Sequence, residues 1–131
     1  MGVDPDQRRR LLVGVVGPCC AGKTTLVKSL AELGIPARVI AQEHSYVPHM
    51  WQTISDPQWL IYLDVSYGAA QQRRWMNWTP GDLEEQHHRL RHARAHCDLY
   101  LSTDGLTPAQ VLDQTVALIR SRPGPPDAPV V

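Results

Sequence analysis

The sequence has no surplus of charge of either sign: thirteen lysines and arginines balance thirteen aspartates and glutamates. That balance excludes the broad positive field by which a chain attracts nucleic acid or an anionic membrane, so any anion must be held by a local site. Long apolar runs are missing as well. None approaches the ~20 residues needed to span a bilayer, and the opening MGVDPDQRRR lacks the apolar core of a signal peptide. A cytoplasmic protein with neither nucleic-acid nor membrane partner is expected. Gly2 is no myristoylation signal, because Asp6 stands where serine or threonine is required. Cysteine is sparse: Cys19 and Cys20 are adjacent and Cys97 is distant, an odd set with neither metal-ligand spacing nor a disulfide framework, so free thiols are expected. There is no internal repeat, no Asn/Thr-Lys-x-Asp guanine motif and no Ser-Gly-Gly transporter signature.

At 131 residues with 43% hydrophobic content, the chain suits one compact domain. Residues 1–10 are polar and 122–131 are proline-rich, so both are expected to be tails around a domain at 11–121. The run Leu11 to Val16 reads as a buried strand, and Lys23 to Leu33 as a helix with the stripe Leu26, Val27, Leu30 and Leu33, ended by Gly34 and Pro36. Short strands are expected at Ala37–Ala41, Trp59–Val65 and Leu99–Leu101, with a functional loop or short irregular helix from His44 to Pro57. Asp82 with Glu85 suggests a capping box for a helix carrying Leu83, Leu90 and Cys97 on one face. Thr107, Pro108 and Gln110 start a last helix with the stripe Val111, Leu112, Thr115, Val116 and Ile119. Strands alternating with helices predict a three-layer α/β/α sandwich around a short, mostly parallel sheet.

The segment Gly17-Pro18-Cys19-Cys20-Ala21-Gly22-Lys23-Thr24 fits Gly, four residues, Gly, Lys, Ser/Thr without mismatch. It follows a buried strand and opens an amphipathic helix, the setting that aims backbone N–H groups and a helix N-terminus at phosphate oxygens. Gly17, Cys19, Cys20, Ala21, Gly22, Lys23, Thr24 and Thr25 are therefore expected to bind a nucleoside triphosphate, with Lys23 on the β- and γ-phosphates and the Thr24 hydroxyl on Mg²⁺. A glycine turn with an exposed lysine is the competing reading.

With this loop, the strand LIYLDVSYGAAQQRR from Leu60, the helix containing HRLRHAR from His88 and the ending CDLYLSTDGLTPAQVLDQTV from Cys97, the chain resembles the small P-loop kinases: shikimate, gluconate, adenylylsulfate and nucleoside monophosphate kinases. The resemblance covers roughly half to two thirds of the chain, and only the loop is sharply diagnostic. It implies the P-loop NTPase fold, an arginine-bearing lid at about residues 68–96, and contact of the DLYLSTDGLTP segment with adenine. Relatives carry an acceptor-binding region and a separate strand ending in an acidic residue where this chain has only a short interval. Ala37 to Glu43 either fuses those duties or the acceptor pocket is built differently.

Two carboxylates are candidates for the chemistry. Asp64 ends an apolar strand and is either an Mg²⁺ ligand or the N-cap of a helix beginning near Gly68. Glu43 ends another strand beside His44, Ser45 and Tyr46, and is either a base or metal ligand or the start of a solvated loop. Arg73 and Arg74 lie where the resembling kinases carry lid arginines; Arg89, Arg91 and Arg94 offer the same chemistry or a solvated face. Trp51, Trp75 and Trp78 could stack on a ring or pack the core, and His88, His92 and His96 share a helix side without partners at zinc-site spacing. The expected activity is transfer of the γ-phosphate of MgATP to a small metabolite or nucleotide; a nucleotide-dependent switch or accessory NTPase acting on a protein partner is the alternative. Nothing in the sequence fixes oligomeric state, and a homodimer is compatible with it.

Overall fold

The structure is a computed structural model that describes residues 12–75 and 77–121. Leu11 and the expected tails at 1–10 and 122–131 lie outside the described residues. Strand β1 (Val13–Val16) is buried along its whole length and leads through Gly17–Gly22 into helix α1 (Lys23–Glu32). Ten residues are fewer than the ~12–15 an isolated helix needs, so α1 depends on its buried residues Leu26 and Leu30. Its end is a Schellman motif: Ile35 N–H donates to Leu30 O and Gly34 N–H to Ala31 O, both at 2.9 Å, with Gly34 left-handed at φ 77°. The stripe expected of this helix is narrower than its periodicity suggests, because Leu33, in the cap, is 53% exposed.

Strand β2 (Ala37–Val39) is followed by a 3₁₀ turn (Gln42–His44) and helix α2 (Met50–Ile54). Then come β3 (Trp59–Asp64), α3 (Tyr67–Arg73), α4 (Pro80–Arg89), α5 (Arg91–His96), β4 (Leu99–Ser102) and α6 (Pro108–Ser121). Thr107 and Gln110 form the expected reciprocal cap of α6 through N–H···O bonds of 2.8 and 3.2 Å. The α4 cap is corrected by one turn. Thr79 and Asp82 make the capping box with Pro80 at the first position, since the threonine hydroxyl and the aspartate each accept from the other's backbone N–H. The single helix expected through Cys97 is broken at Leu90, the C-cap of α4 and N-cap of α5.

The four strands form one parallel sheet in the order β2-β1-β3-β4. Helices cover both faces. On one, Leu26 and Leu30 of α1 and Val111, Val116 and Ile119 of α6 pack on Val13, Val15, Ile61 and Leu63. On the other, Trp51, Leu90 and Ala93 pack on Val16, Leu60 and Tyr62. The chain leaves β1 toward β2 and leaves β3 toward β4, in opposite directions along the sheet. A crevice therefore opens at the carboxyl ends of β1 and β3, the place where open α/β sheets bind ligands. Gly17–Gly22 and Asp64 both emerge there. No helix among the described residues is long and apolar enough to cross a membrane.

Candidate functional site at the β1–α1 loop

The loop presses against the end of β3. A Cβ on Gly17 would stand 1.9 Å from Leu63 O, so only glycine permits this path. Cys20 takes the left-handed conformation at φ 67°, a strained geometry for a residue with a side chain. The loop ends at Gly22, the N-cap of α1, which supplies no side-chain hydrogen bond. The first turn of α1 thus has no side-chain cap, and nothing lies within 4 Å of where a Gly22 Cβ would be. Together with the exposed Thr24 and Thr25, this leaves the partially positive N-terminus of α1 uncapped and open at the end of the loop.

Lys23 begins α1, yet its side chain turns back over the loop and donates to Gly17 O at 2.6 Å. The same ammonium donates to Glu43 Oε2, making an ion pair whose side chains are only 9% and 6% exposed. Glu43 is delivered by the 3₁₀ turn after β2, which the wholly buried Gln42 pins in place. The Gln42 amide donates to Val47 O at 2.8 Å and Arg89 O at 3.2 Å, while its oxygen accepts from Trp51 N–H at 2.8 Å. Glu43 Oε1 is buried and has no hydrogen-bond partner among the described residues. The expected phosphate-binding lysine and the candidate acid Glu43 are therefore brought together, although they lie 20 residues apart in sequence.

Asp64 is brought to a different set of partners. Its Oδ1 accepts from Val65 N–H at 2.9 Å and lies 2.8 Å from His87 Nε2, and Oδ2 accepts from Tyr100 Oη at 2.6 Å. Burial, then Asp64, pushes the Tyr100 phenol up to about 12, so it remains a donor to this carboxylate. The N-cap reading of Asp64 is corrected: Ser66 caps α3, accepting from Ala69 N–H at 3.2 Å.

Arg73 ties the loop to the end of β4. Its guanidinium donates to Cys20 O at 2.8 Å, to Thr103 Oγ1 at 2.9 Å and to Thr103 O. Thr103 Oγ1 also lies 3.0 Å from both Ala21 O and Asp64 O, so one side chain joins the loop, β3 and β4. Beside this junction is a cavity of about 230 Å³ whose lining includes Ala21, Leu26, Arg73, Thr103, Leu106 and Val111. That is smaller than the roughly 300–1,000 Å³ of typical small-molecule pockets, and suits a planar ring better than a whole nucleotide.

Arg74 is the exposed C-cap of α3. Of the remaining arginines, Arg89 faces the Glu43 turn, with Nη1 3.4 Å from Glu43 O and its guanidinium 4.3 Å above Tyr46; Arg91 donates to His88 O and Arg94 lies over Tyr100. Gln86 was not singled out by any sequence signal, since it lies 67 residues from its partner. Its Oε1 accepts from Cys19 N–H at 3.0 Å and its amide donates to Cys19 Sγ at 3.4 Å.

Trp75 is exposed and Trp78 packs against the first core. Trp51 is buried, and its indole N–H donates to His92 Nδ1 at 3.0 Å, which requires that nitrogen to be unprotonated. Burial, then His96, His49 and Arg91, holds the His92 imidazole below its ordinary value. The unfolded chain therefore takes up this proton first. Stability from the contact is full above an unfolded pKa of about 6.5 and is lost as pH falls through the lower folded value. Urea midpoints measured at about pH 7.5 and about pH 5.5 should fall with acid in the parent protein and fall less in His92→Gln. An equal acid loss in both would show that His92 is not responsible.

No protein-family model matches the chain, and no curated protein compared with it is similar at a significant level.

Proposed function

We propose that the chain is a small P-loop kinase of the P-loop NTPase fold, binding MgATP at Gly17–Thr25 and transferring its γ-phosphoryl group to a small metabolite or nucleotide. The observation that carries this reading is Lys23: the first residue of α1 reaches back across an uncapped loop to Gly17 O and meets a buried carboxylate. Loop and helix N–H groups would hold phosphate oxygens, and the third donor of the Lys23 ammonium is available to the β- and γ-phosphates. The apolar cavity between Leu26, Leu106 and Val111 suits the base, next to the segment that the resemblance assigns to adenine.

The residues present fit the metal of MgATP. Thr24 offers a hydroxyl in the first turn of α1, and the buried Oε1 of Glu43, which no donor among the described residues reaches, offers a hard oxygen acceptor. Bound Mg²⁺ would neutralise charge on the transferring group. Glu43 would orient a metal-bound water or take the acceptor's proton, and Arg73 would keep the loop fixed to β4 during transfer.

Only a 3₁₀ turn and a five-residue helix separate β2 from β3, leaving little chain for an acceptor pocket. That shortness favours a second reading, a nucleotide-dependent switch or accessory NTPase. ADP release from MgATP, alone and against nucleosides, nucleotides, sugars and hydroxy acids, separates the two. A rise with one compound class is the expected result; slow release indifferent to every compound would replace the kinase with the switch.

A further inference from the structure

The mouth of the loop carries a second set of ligand atoms whose chemistry differs from that of a magnesium site. Cys19 Sγ lies 3.9 Å from His44 Nε2, and His44 Nε2 lies 3.8 Å from Glu43 Oε2. The three donor atoms are all within 4.8 Å of one another. Tetrahedral zinc, with bonds of about 2.3 Å to sulfur and about 2.0–2.1 Å to nitrogen and oxygen, places sulfur and nitrogen about 3.6 Å apart and nitrogen and oxygen about 3.3 Å apart. Two of the three separations therefore need to shrink by only a few tenths of an ångström to 0.5 Å. His44 can supply that movement, since its side chain is 60% exposed. Gln86 donates to Cys19 Sγ at 3.4 Å, the kind of outer hydrogen bond that orients a metal-bound thiolate. Glu43 brings a buried carboxylate whose Oε2 faces His44 while paired with Lys23, and whose other oxygen, Oε1, no donor among the described residues reaches.

We propose that Cys19, Glu43 and His44 form an open, three-residue site for a borderline-soft divalent cation, with Zn²⁺ the fitting occupant. Thiolate and imidazole select against Mg²⁺, which takes oxygen ligands, and favour Zn²⁺ or Co²⁺. On binding, the Cys19 thiol releases its proton to solvent and the fourth position is left to water. The cation shares Glu43 with Lys23, so its arrival removes the carboxylate from the duties assigned to it in phosphoryl transfer. Zinc is thus an inhibitor of turnover, a consequence that rests on the kinase reading, whereas the metal site itself does not.

The test is titration of the metal-free, reduced full chain with Co²⁺, followed by displacement with Zn²⁺. The expected result is one equivalent bound with tetrahedral visible bands and a thiolate-to-cobalt charge-transfer band. Cys19→Ser should lose the charge-transfer band, and His44→Ala should weaken Co²⁺ by about tenfold or more. Cys97→Ser should leave the spectrum unchanged. No charge-transfer band in the parent protein, or an undiminished one in Cys19→Ser, overturns the site; unchanged affinity in His44→Ala does so even where the cysteine variant fails to fold. In the ADP-release assay, one equivalent of Zn²⁺ should suppress turnover of the parent protein reversibly with chelator. His44→Ala, compared with its own metal-free rate, should respond much less. Equal turnover with and without zinc overturns the inhibition. Absence of turnover in metal-free protein overturns the kinase reading instead, and the cobalt spectrum still decides the site.

Discussion

Replacing Lys23 by alanine is expected to abolish ATP binding and, at the same time, to lower the protein's stability. The first effect follows from losing the one side chain that spans the loop from α1 back to Gly17. The second follows from what is left behind. Glu43 is 4% exposed, its Oε1 has no partner among the described residues, and its Oε2 would lose the lysine. Breaking a buried pair by removing one member costs about 3–5 kcal/mol, because the other charge stays uncompensated. For a domain of this size that is a fall in thermal midpoint on the order of 10–20 °C. A loss of ATP binding in Lys23→Ala is therefore ambiguous by itself. The double variant Lys23→Ala/Glu43→Gln removes both charges and should recover most of the lost stability while still failing to bind ATP. Equilibrium ATP binding and thermal unfolding, measured on both variants, separate the two roles; ATP affinity unchanged in the folded double variant would remove the phosphate loop from the proposed function.

The pairing of Lys23 with Glu43 was invisible in the sequence for a physical reason. The strand–loop–helix unit is local: Val13–Val16, the loop glycines and the Leu26/Leu30 face are set by neighbours within a few turns, and the pattern read from residues alone agrees with the structure. The same holds for α6, whose cap and stripe lie within one helix. Where the reading slipped, two local signals competed. Asp82 and Glu85 have capping spacing, but so do Thr79 and Asp82, and Pro80 at the first helical position favours the earlier start. The unbroken period through Leu83, Leu90 and Cys97 hid a change of helix at Leu90, because a buried leucine serves an α4 end and an α5 start equally well. The exposed Leu33 shows that a periodic residue in a cap need not be covered.

The candidate site was legible by residue type and not by partnership. Lys23 and Glu43 were both read as functional, but only the sheet order brings them together. β2 lies directly against β1, so the turn after β2 ends beside the loop after β1. Likewise, Arg73 carries the charge expected of a lid arginine, while its bonds to Cys20 O and Thr103 O come from the pairing of β3 with β4. Gln86 had no signal to find, since its only distinction is that folding places it against Cys19.

The comparison of Glu43→Gln with Asp64→Asn should show which carboxylate, if either, serves the proposed phosphoryl transfer, and the two are expected to fail in different ways. Glutamine keeps the shape of Glu43 and an oxygen for Lys23 to donate to, but it leaves the buried Lys23 ammonium without its counter-charge, so this variant should also lose stability and its turnover is compared per folded molecule. It can neither accept a proton nor serve as a charged metal ligand. Turnover should then fall by about 10²–10⁴-fold, the range associated with a positioned general base, with ATP binding largely retained. Asp64 makes a different case. Its oxygens accept from Tyr100 and Val65 and face His87, and an amide can keep only some of those bonds. Losing a hydrogen bond to a charged group costs about 1.5–3 kcal/mol, so Asp64→Asn should show mainly as lower stability, with turnover per folded molecule little changed. Turnover measured over a series of Mg²⁺ concentrations adds the deciding readout. If Glu43 is the carboxylate on the metal side, Glu43→Gln should need more Mg²⁺ to reach its own maximum and Asp64→Asn should not. The reverse pattern, a large loss of turnover and a raised Mg²⁺ requirement in Asp64→Asn alone, would move the chemistry to the end of β3 and leave Glu43 as the structural counter-charge of Lys23.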